Sequence, residues 1–209
     1  MKTNTNTNQL HFTKHQSKGK CINKMDGMVS LNTSTINNDF CLKMHDNVKL
    51  ICSSCYAYNL ELFRKQIVPP FYRNGKILTR PLKDHEIPHL KLKSLRFNAI
   101  GELLNKQHYF NLVAIAEANP NTICTLWTKR PEIAATHRIT LPNLIHIYSS
   151  PMLNTISTKQ AKHFDKIFTV FNTAYIRDNN VSINCQKQCA TCNICYTHND
   201  IKYINEKIR

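Results

Sequence analysis

The sequence predicts an α/β fold: a partial (β/α) barrel of about five to six parallel strands, closed off by a C-terminal cysteine-rich segment that binds metal. Three observations carry this expectation. From Ser94 onward, short β-branched and aromatic runs alternate with helical patterns, the rhythm of βαβ units that feed a parallel sheet. Counting the apolar run at Met28, five strands are readable, too few for a closed eight-stranded barrel. The nine cysteines gather in groups instead of being scattered.

Taken in order, residues 1–24 are polar, rich in Asn, Thr and Lys and without periodicity, so they read as a flexible basic arm. Residues 25–180 form the partial barrel. "MVSLNTS" suits a short strand, and "TINNDFCLKMHDNVKLICSSC" reads as a long loop. Tyr56, Leu60, Phe63 and Ile67 fall on one helical face, with Pro69 and Pro70 ending that helix. Phe71 to Leu90 reads as irregular or a short helix and loop. "SLRFNAI" is a strand, and "GELLNKQHYFNLVAIAEANP" a helix with Tyr109, Leu112, Val113 and Ala116 on one face. "TICTLWTKR" is a strand, "PEIAATHRI" a short helix with Pro131 in its first turn, and "NLIHIYSSP" a strand. "TKQAKHF" is a short helix and "KIFTVFN" the last strand. Residues 181–209 are the cysteine-rich segment, followed by a helix carrying Ile201, Ile204 and Ile208 at helical spacing.

Composition narrows the function classes. A 209-residue chain that is 42% hydrophobic has enough apolar surface for one core with a small appendage. No run approaches the length of a membrane span and no apolar leader opens the chain, so a cytoplasmic protein without membrane contact is expected. In that compartment thiols stay reduced, which favours metal ligands over disulfides. The net charge of +15 favours polyanions such as nucleic acid. A compositional bias towards Asn, Lys and Ile, as an AT-rich genome produces, accounts for the same excess. No phosphate loop, Ser-His-Asp order or HExxH motif points to a hydrolase or nucleotide enzyme.

The cysteines carry the chemistry. Cys185, Cys189, Cys192 and Cys195 follow a C-x3-C-x2-C-x2-C pattern, in which four thiolates on one tight loop can wrap a soft or borderline metal. This spacing suits iron-sulfur ahead of zinc, whose structural sites more often separate two C-x2-C pairs by a dozen or more residues. Cys41, Cys52 and Cys55 form a second group, C-x10-C-x2-C. Three thiolates leave one iron of a four-iron cluster without a protein ligand, an open position for a small molecule. A single zinc site built from Cys52, Cys55, Cys192 and Cys195 is the alternative. Cys124 lies in an apolar strand and reads as core, and Cys21 stands outside both groups.

"SLNTS", "FC" eleven residues before "CSSCYA", "RFNAIGEL", "ANPNT", "LWTKRPE" and the C-terminal cysteine run together resemble the bacteriophage gene product 88 family, across about Met28 to Cys195. That family is similar to radical S-adenosylmethionine enzymes. The resemblance implies a 4Fe-4S cluster on Cys41, Cys52 and Cys55 whose free iron binds S-adenosylmethionine, and a substrate radical formed from it. It implies a second iron-sulfur cluster, or zinc, on the C-terminal cysteines, and host cytoplasm as the location. It names no substrate. The usual pattern of those enzymes is C-x3-C-x2-C with an aromatic before the last cysteine, whereas here the first gap is ten residues and Tyr56 follows Cys55.

In β/α sheets ligands meet the C-terminal strand ends. Tyr56, Arg96, Asn98, Glu102, Lys129 and Ser149 are therefore the candidates to hold the cofactor, with Thr128, Arg130, Ser150 and Asn172 beside them. Glu102 near an open iron would suit the ribose hydroxyls or methionine amine of the cofactor. The plainer reading pairs Arg96 with Glu102 at a helix start. Lys129 and Arg130 suit a carboxylate or phosphate, or a solvated strand end. Trp127 reads as core, and His45 and His198 as surface residues that could each replace a thiolate. The competing functions are a zinc-stabilised basic protein on nucleic acid and a scaffold without chemistry.

Overall fold

Parallel strands require crossover connections, and the helical patterns between the apolar runs supply them. The computed structural model describes residues 9–17 and 23–208. Its strands β1 (Phe12–Lys14), β2 (Val29–Leu31), β3 (Ser94–Phe97), β4 (Ile123–Thr128), β5 (Leu144–Ser149), β6 (Lys166–Phe171) and β7 (Tyr203–Lys207) make one open sheet. They are ordered in space as they are in sequence. β1 runs antiparallel to β2, and every other neighbouring pair is parallel.

The connections carry helices α1 (Asp39–His45), α2 (Tyr56–Phe63), α3 (Val68–Leu78), α4 (Lys106–Glu117), α5 (Pro131–Ala134), α6 (Thr173–Asn179) and α7 (Cys189–Cys192). Right-handed crossovers that always step in one direction leave their helices on one face. The core agrees: Leu78 of α3, Tyr109, Leu112 and Ile115 of α4, and Ile133 and Ala134 of α5 pack with Leu31, Leu95, Phe97, Leu126, Leu144 and Ile167. Side chains alternate along a strand, so Trp127, Ile145, Ile147, Phe168 and Ile204 point to the other face. There Met28, Cys195 and Tyr196 cover them.

Six parallel strands are present, one more than the five read from the pattern, because the C-terminal segment is a strand and not a helix. Ile201, Ile204 and Ile208 do repeat at helical spacing, yet Ile204 alone is fully buried while Ile201 and Ile208 are 38% and 43% exposed. The open edge of β6 offers a ladder of hydrogen bonds, and a Tyr-Ile-Asn run has little helix propensity to oppose it. The basic arm also departs from expectation. Phe12–Lys14 pairs with β2, and Asn74 clamps the start of this strand by accepting from His11 N (2.7 Å) and donating to His11 O (2.8 Å). The rest of the arm, residues 1–8 and 18–22 with Cys21, lies outside the described residues.

Four local readings are corrected on the same terms. The loop before Cys55 contains α1, whose start is capped by Asn38 Oδ1 accepting from Phe40 N (3.0 Å) and Cys41 N (3.3 Å), and a 3-10 turn at Ile51–Ser54. Pro69 and Pro70 begin α3, because proline's fixed φ and missing N–H suit a first helical turn. The expected stripe is split: Leu60 and Ile67 pack against Ala57, Phe71 and Ile100, whereas Tyr56 and Phe63 are exposed, Phe63 by 93%, and Ile67 lies beyond the end of α2. The short helix expected at "TKQAKHF" is a 3-10 turn, Thr158–Gln160.

Candidate functional site

The tips of β2 and β3 are laced together before any cysteine is placed. Asn98 N donates to Leu31 O (3.0 Å), Thr33 N to Ile100 O (3.3 Å) and Ile100 N to Asn32 Oδ1 (3.0 Å). Gly101 makes the approach possible. Its φ is +84°, and a Cβ there would stand 2.3 Å from both Thr33 O and Thr33 Oγ1. The turn delivers Glu102 into a buried position where its carboxylate accepts three hydrogen bonds. Oε1 accepts from Thr128 Oγ1 (2.6 Å) and Leu103 N (2.8 Å), and Oε2 accepts from Lys129 N (2.7 Å).

The helices that carry the cysteines are fastened to this corner. Asn38, besides capping α1, donates to Glu102 O (3.0 Å) and so sets Cys41 above the carboxylate's own backbone. Glu61 of α2 is fully buried; Oε2 accepts from Ser34 Oγ (2.6 Å) and Oε1 from Thr35 N (2.7 Å) and Thr35 Oγ1 (2.8 Å). This holds α2, with Cys55 at its start, against the turn after β2. Ile51 N donates to Pro151 O (2.9 Å), tying the stretch before Cys52 to the loop after β5.

Cys41, Cys52 and Cys55 consequently lie near enough for their charges to act on one another, with Glu102 and Lys129 in the same reach. Burial pushes the Cys41 thiol pKa up strongly, and the neighbouring charges of Glu102, Cys55 and Cys52 add to this while Lys129 opposes it. Cys52 is also raised, first by burial, with Lys129 lowering and Cys55 and Glu102 raising it. Burial raises the Glu102 pKa too, against the hydrogen bonds from Thr128, Leu103 and Lys129. Unliganded, the corner thus favours neutral thiols; a bound cation reverses that preference because thiolate is the ligand form.

The remaining candidates divide. Lys129 Nζ donates to Ser149 Oγ (2.7 Å), so these two stand together at the strand ends. Tyr56 is 66% exposed, and its hydroxyl donates to Ala99 O (2.9 Å) across the mouth. Asn98, in the left-handed region, donates to Trp127 O (3.2 Å). Arg96 is not paired with Glu102: it points to the face opposite α3, α4 and α5, its guanidinium 4.0 Å over the Trp127 ring. Arg130 is neither a solvated strand end nor free for an anion. It donates from Nη1 to Leu103 O (2.8 Å) and Leu104 O (3.0 Å), pairs with Glu132 and lies over the Phe40 ring. His45 stacks on Tyr58, and His198 Nε2 lies 2.9 Å from Pro142 O, so neither stands with the cysteines as a ligand. Asn172 caps α6 by accepting from Tyr175 N (2.8 Å). Cys124 is core, as its apolar strand suggested.

Cys185, Cys189, Cys192 and Cys195 line one cleft of about 20 Å³ with Lys24, Tyr196 and Ile204. Lys24 Nζ donates to Cys185 Sγ (2.9 Å) and Cys185 O (3.1 Å) and pairs with Glu206. Burial pushes Cys195 up to about 12. Among the described residues no three His, Cys, Asp or Glu side chains are drawn together closely enough to hold a metal ion. By donor chemistry both cysteine groups fit a soft or borderline metal, and closing either one onto it requires small movements of thiols and release of their protons.

Glu61 and Asn38 were not legible as site residues; the only signal was a lone acid on α2 facing a run of hydroxyl residues, "NTST". No protein family matches this sequence, and no characterised protein or solved structure is similar to it. Among the described residues no helix is long and apolar enough to cross a membrane.

Proposed function

We propose that this chain is an iron-sulfur enzyme of the radical S-adenosylmethionine type on a partial (β/α) barrel. The observation that carries the reading is that the half-buried Cys41 and the buried Cys52 lie within electrostatic reach of one another, of Cys55, of the buried Glu102 carboxylate and of Lys129. The sequential order of the six parallel strands supports the barrel reading. The resemblance of the "FC", "CSSCYA" and "RFNAIGEL" segments supplies the name of the cofactor.

In this reading Cys41, Cys52 and Cys55 would hold a 4Fe-4S cluster, and such a cluster together with S-adenosylmethionine would supply radical chemistry at a substrate C–H bond, given an external one-electron donor. Glu102 presents the only buried acid beside the thiols among the described residues with a charge that reaches Cys41, and Lys129 with Ser149 lines the adjoining strand ends. Tyr56 stands across the mouth from them. The C-terminal cysteines hold a second metal centre.

The test is iron, sulfide and visible absorption of anaerobically purified protein, before and after S-adenosylmethionine. Matched iron and sulfide with a spectrum that shifts on adding the cofactor is the expected result, with Cys55→Ala losing the shift. Stoichiometric zinc without colour overturns the reading, and salt-dependent binding of nucleic acid by the +15 chain becomes the function to measure.

A further inference from the structure

The chain between β6 and β7, with the short α7, lays its cysteines on the sheet face opposite α3, α4 and α5, and the charges gathered there do not balance. Lys24 is bound to Cys185 and to Glu206. Arg96 has no carboxylate partner among the described residues; Nη1 reaches only Met25 Sδ (3.3 Å), and its charge is felt at both Cys189 and Cys195. Lys166 is buried and spends its ammonium on two neutral acceptors, Asn199 Oδ1 (2.7 Å) and Ile201 O (3.0 Å), with Cys195 within reach of its charge. The nearby Asp165 is taken up by Arg138. Lys24, Arg96 and Lys166 thus stand against Glu206, with Asp165 acting on Lys166 from its ion pair with Arg138 and with Lys202 and the exposed Lys187 nearby, so positive charge is in excess around the cysteines in a partly desolvated place.

The same face holds buried donors with nothing to bind. Arg96 Nε, Thr125 Oγ1, Trp127 Nε1 and Tyr196 OH have no hydrogen-bond partner among the described residues. Thr125 sits directly beside Arg96 in the β3–β4 register, so both point the same way. Buried donors without acceptors are costly unless an acceptor arrives.

We propose that Cys185, Cys189, Cys192 and Cys195 hold one metal–tetrathiolate centre of net charge −2, and that Lys24, Arg96 and Lys166, set against Glu206, are its built-in counter-charges. The proposal rests on the metal reading of these cysteines given above and adds the charge of the centre and the residues that fix it. A divalent ion bound by four thiolates has this charge, and so does an oxidised four-iron cluster bound by four. Taking up a divalent ion releases four thiol protons with no change of oxidation state, whereas assembling the cluster, formally two ferrous and two ferric irons, from ferric iron and sulfide takes two electrons, which a thiol reductant added with the iron supplies. The sulfurs become the missing acceptors for the orphaned donors, as outer-shell groups commonly do for thiolate centres.

The test uses the full chain with Cys41→Ser, Cys52→Ser and Cys55→Ser, which removes the first group. It is purified once with zinc in air and once anaerobically with iron and sulfide. We expect about one zinc, or about four irons with matching sulfide, per chain; which metal is retained identifies the centre. In that background Lys24→Met should release the metal to a chelator about tenfold faster. Lys24→Arg should restore retention, and Lys187→Met, exposed on the same cleft, should leave it unchanged. Lys166→Met gives the same readout at the far side of the site should Lys24→Met not fold. Absence of metal from the triple variant overturns the proposal, as do equal release rates for the Lys24, Lys166 and Lys187 variants. If the triple variant keeps its centre while the wild-type spectrum ignores S-adenosylmethionine, the radical enzyme reading fails and this one stands.

Discussion

Replacing glycines one at a time separates two physical costs at the corner that holds Glu102. Gly27 and Gly101 share a positive φ, +82° and +84°, where an L side chain is strained by about 1–2 kcal/mol. They differ in space. A Cβ at Gly27 meets only Ala190 Cβ at 3.5 Å, an ordinary contact, so Gly27→Ala should cost about 1 kcal/mol. At Gly101 it would stand 2.3 Å from Thr33 O and Thr33 Oγ1 and 2.8 Å from Thr33 C. Two of those atoms are backbone, in a turn already fixed by hydrogen bonds to Asn32 and Ile100, so the β2 and β3 tips must part. Gly101→Ala should therefore cost at least about 3 kcal/mol, in the range reserved for a conformational and a packing failure together. Gly75→Ala is the internal control: its φ is ordinary, and the Cβ meets only the end of Leu104 at 3.0 Å. There the gain in helix propensity, about 1 kcal/mol, offsets the crowding and the change should be near zero. Urea unfolding of the three variants, followed by circular dichroism, gives the ranking. A Gly101→Ala cost no larger than that of Gly27→Ala would refute the claim that close passage at Thr33 builds the corner.

Two other perturbations test the fold away from the corner. Ile204→Ala should cost about 2–5 kcal/mol, while Ile201→Ala and Ile208→Ala should stay within about 0.5 kcal/mol; three equal losses in urea unfolding would favour a packed helical tail over β7. Asp165 gives a pH signature. Burial works against its ionisation, but the His146 ring and backbone N–H and the Arg138 charge outweigh this and hold its pKa well below the ordinary 3.8. A depressed carboxyl stabilises the fold above the unfolded pKa, and that contribution is lost as pH falls through it towards the folded value. Stability of the wild type should drop below about pH 4, with about 1–3 kcal/mol of the drop missing in Asp165→Asn; parallel pH curves for the two proteins would exclude the assignment.

The β/α rhythm was legible because burial on both faces writes apolar runs into β4, β5 and β6, and α4 shows its buried face at the expected spacing. Where the period is short, the reading failed. β1 has three residues and β7 five, and each owes its conformation to a neighbour's open edge, information that no local window contains. Asparagine was the other blind spot. A compositional bias accounts for its number but not its placement: Asn111 donates to Leu78 O and Arg80 O, Asn119 to Pro88 O and Ile115 O, and Asn143 to Ala116 O, Asn119 O and Thr122 O. Each ties carbonyls at a helix end to those of the loop that follows or packs beside it.

The same distinction explains why the cysteine site was half visible. Cys52 and Cys55 are adjacent by spacing, so their pairing follows from sequence, whereas Cys41 lies across a ten-residue gap and joins them only through tertiary bonds. α1 takes up the first half of that gap. Asp46 N bonds back to Leu42 O, Leu50 N to Asn47 O and Ser53 N to Leu50 O, which turns the chain around and returns it to Cys52. The long first gap thus still leaves Cys41 within electrostatic reach of Cys52 and Cys55, with Asn38 fixing the start of α1 on Glu102 O and Glu61 fixing α2 on Thr35. Those two residues carry no metal-binding chemistry of their own. They make the gap length irrelevant to the geometry, and a motif defined by spacing alone passes over a site assembled in this way.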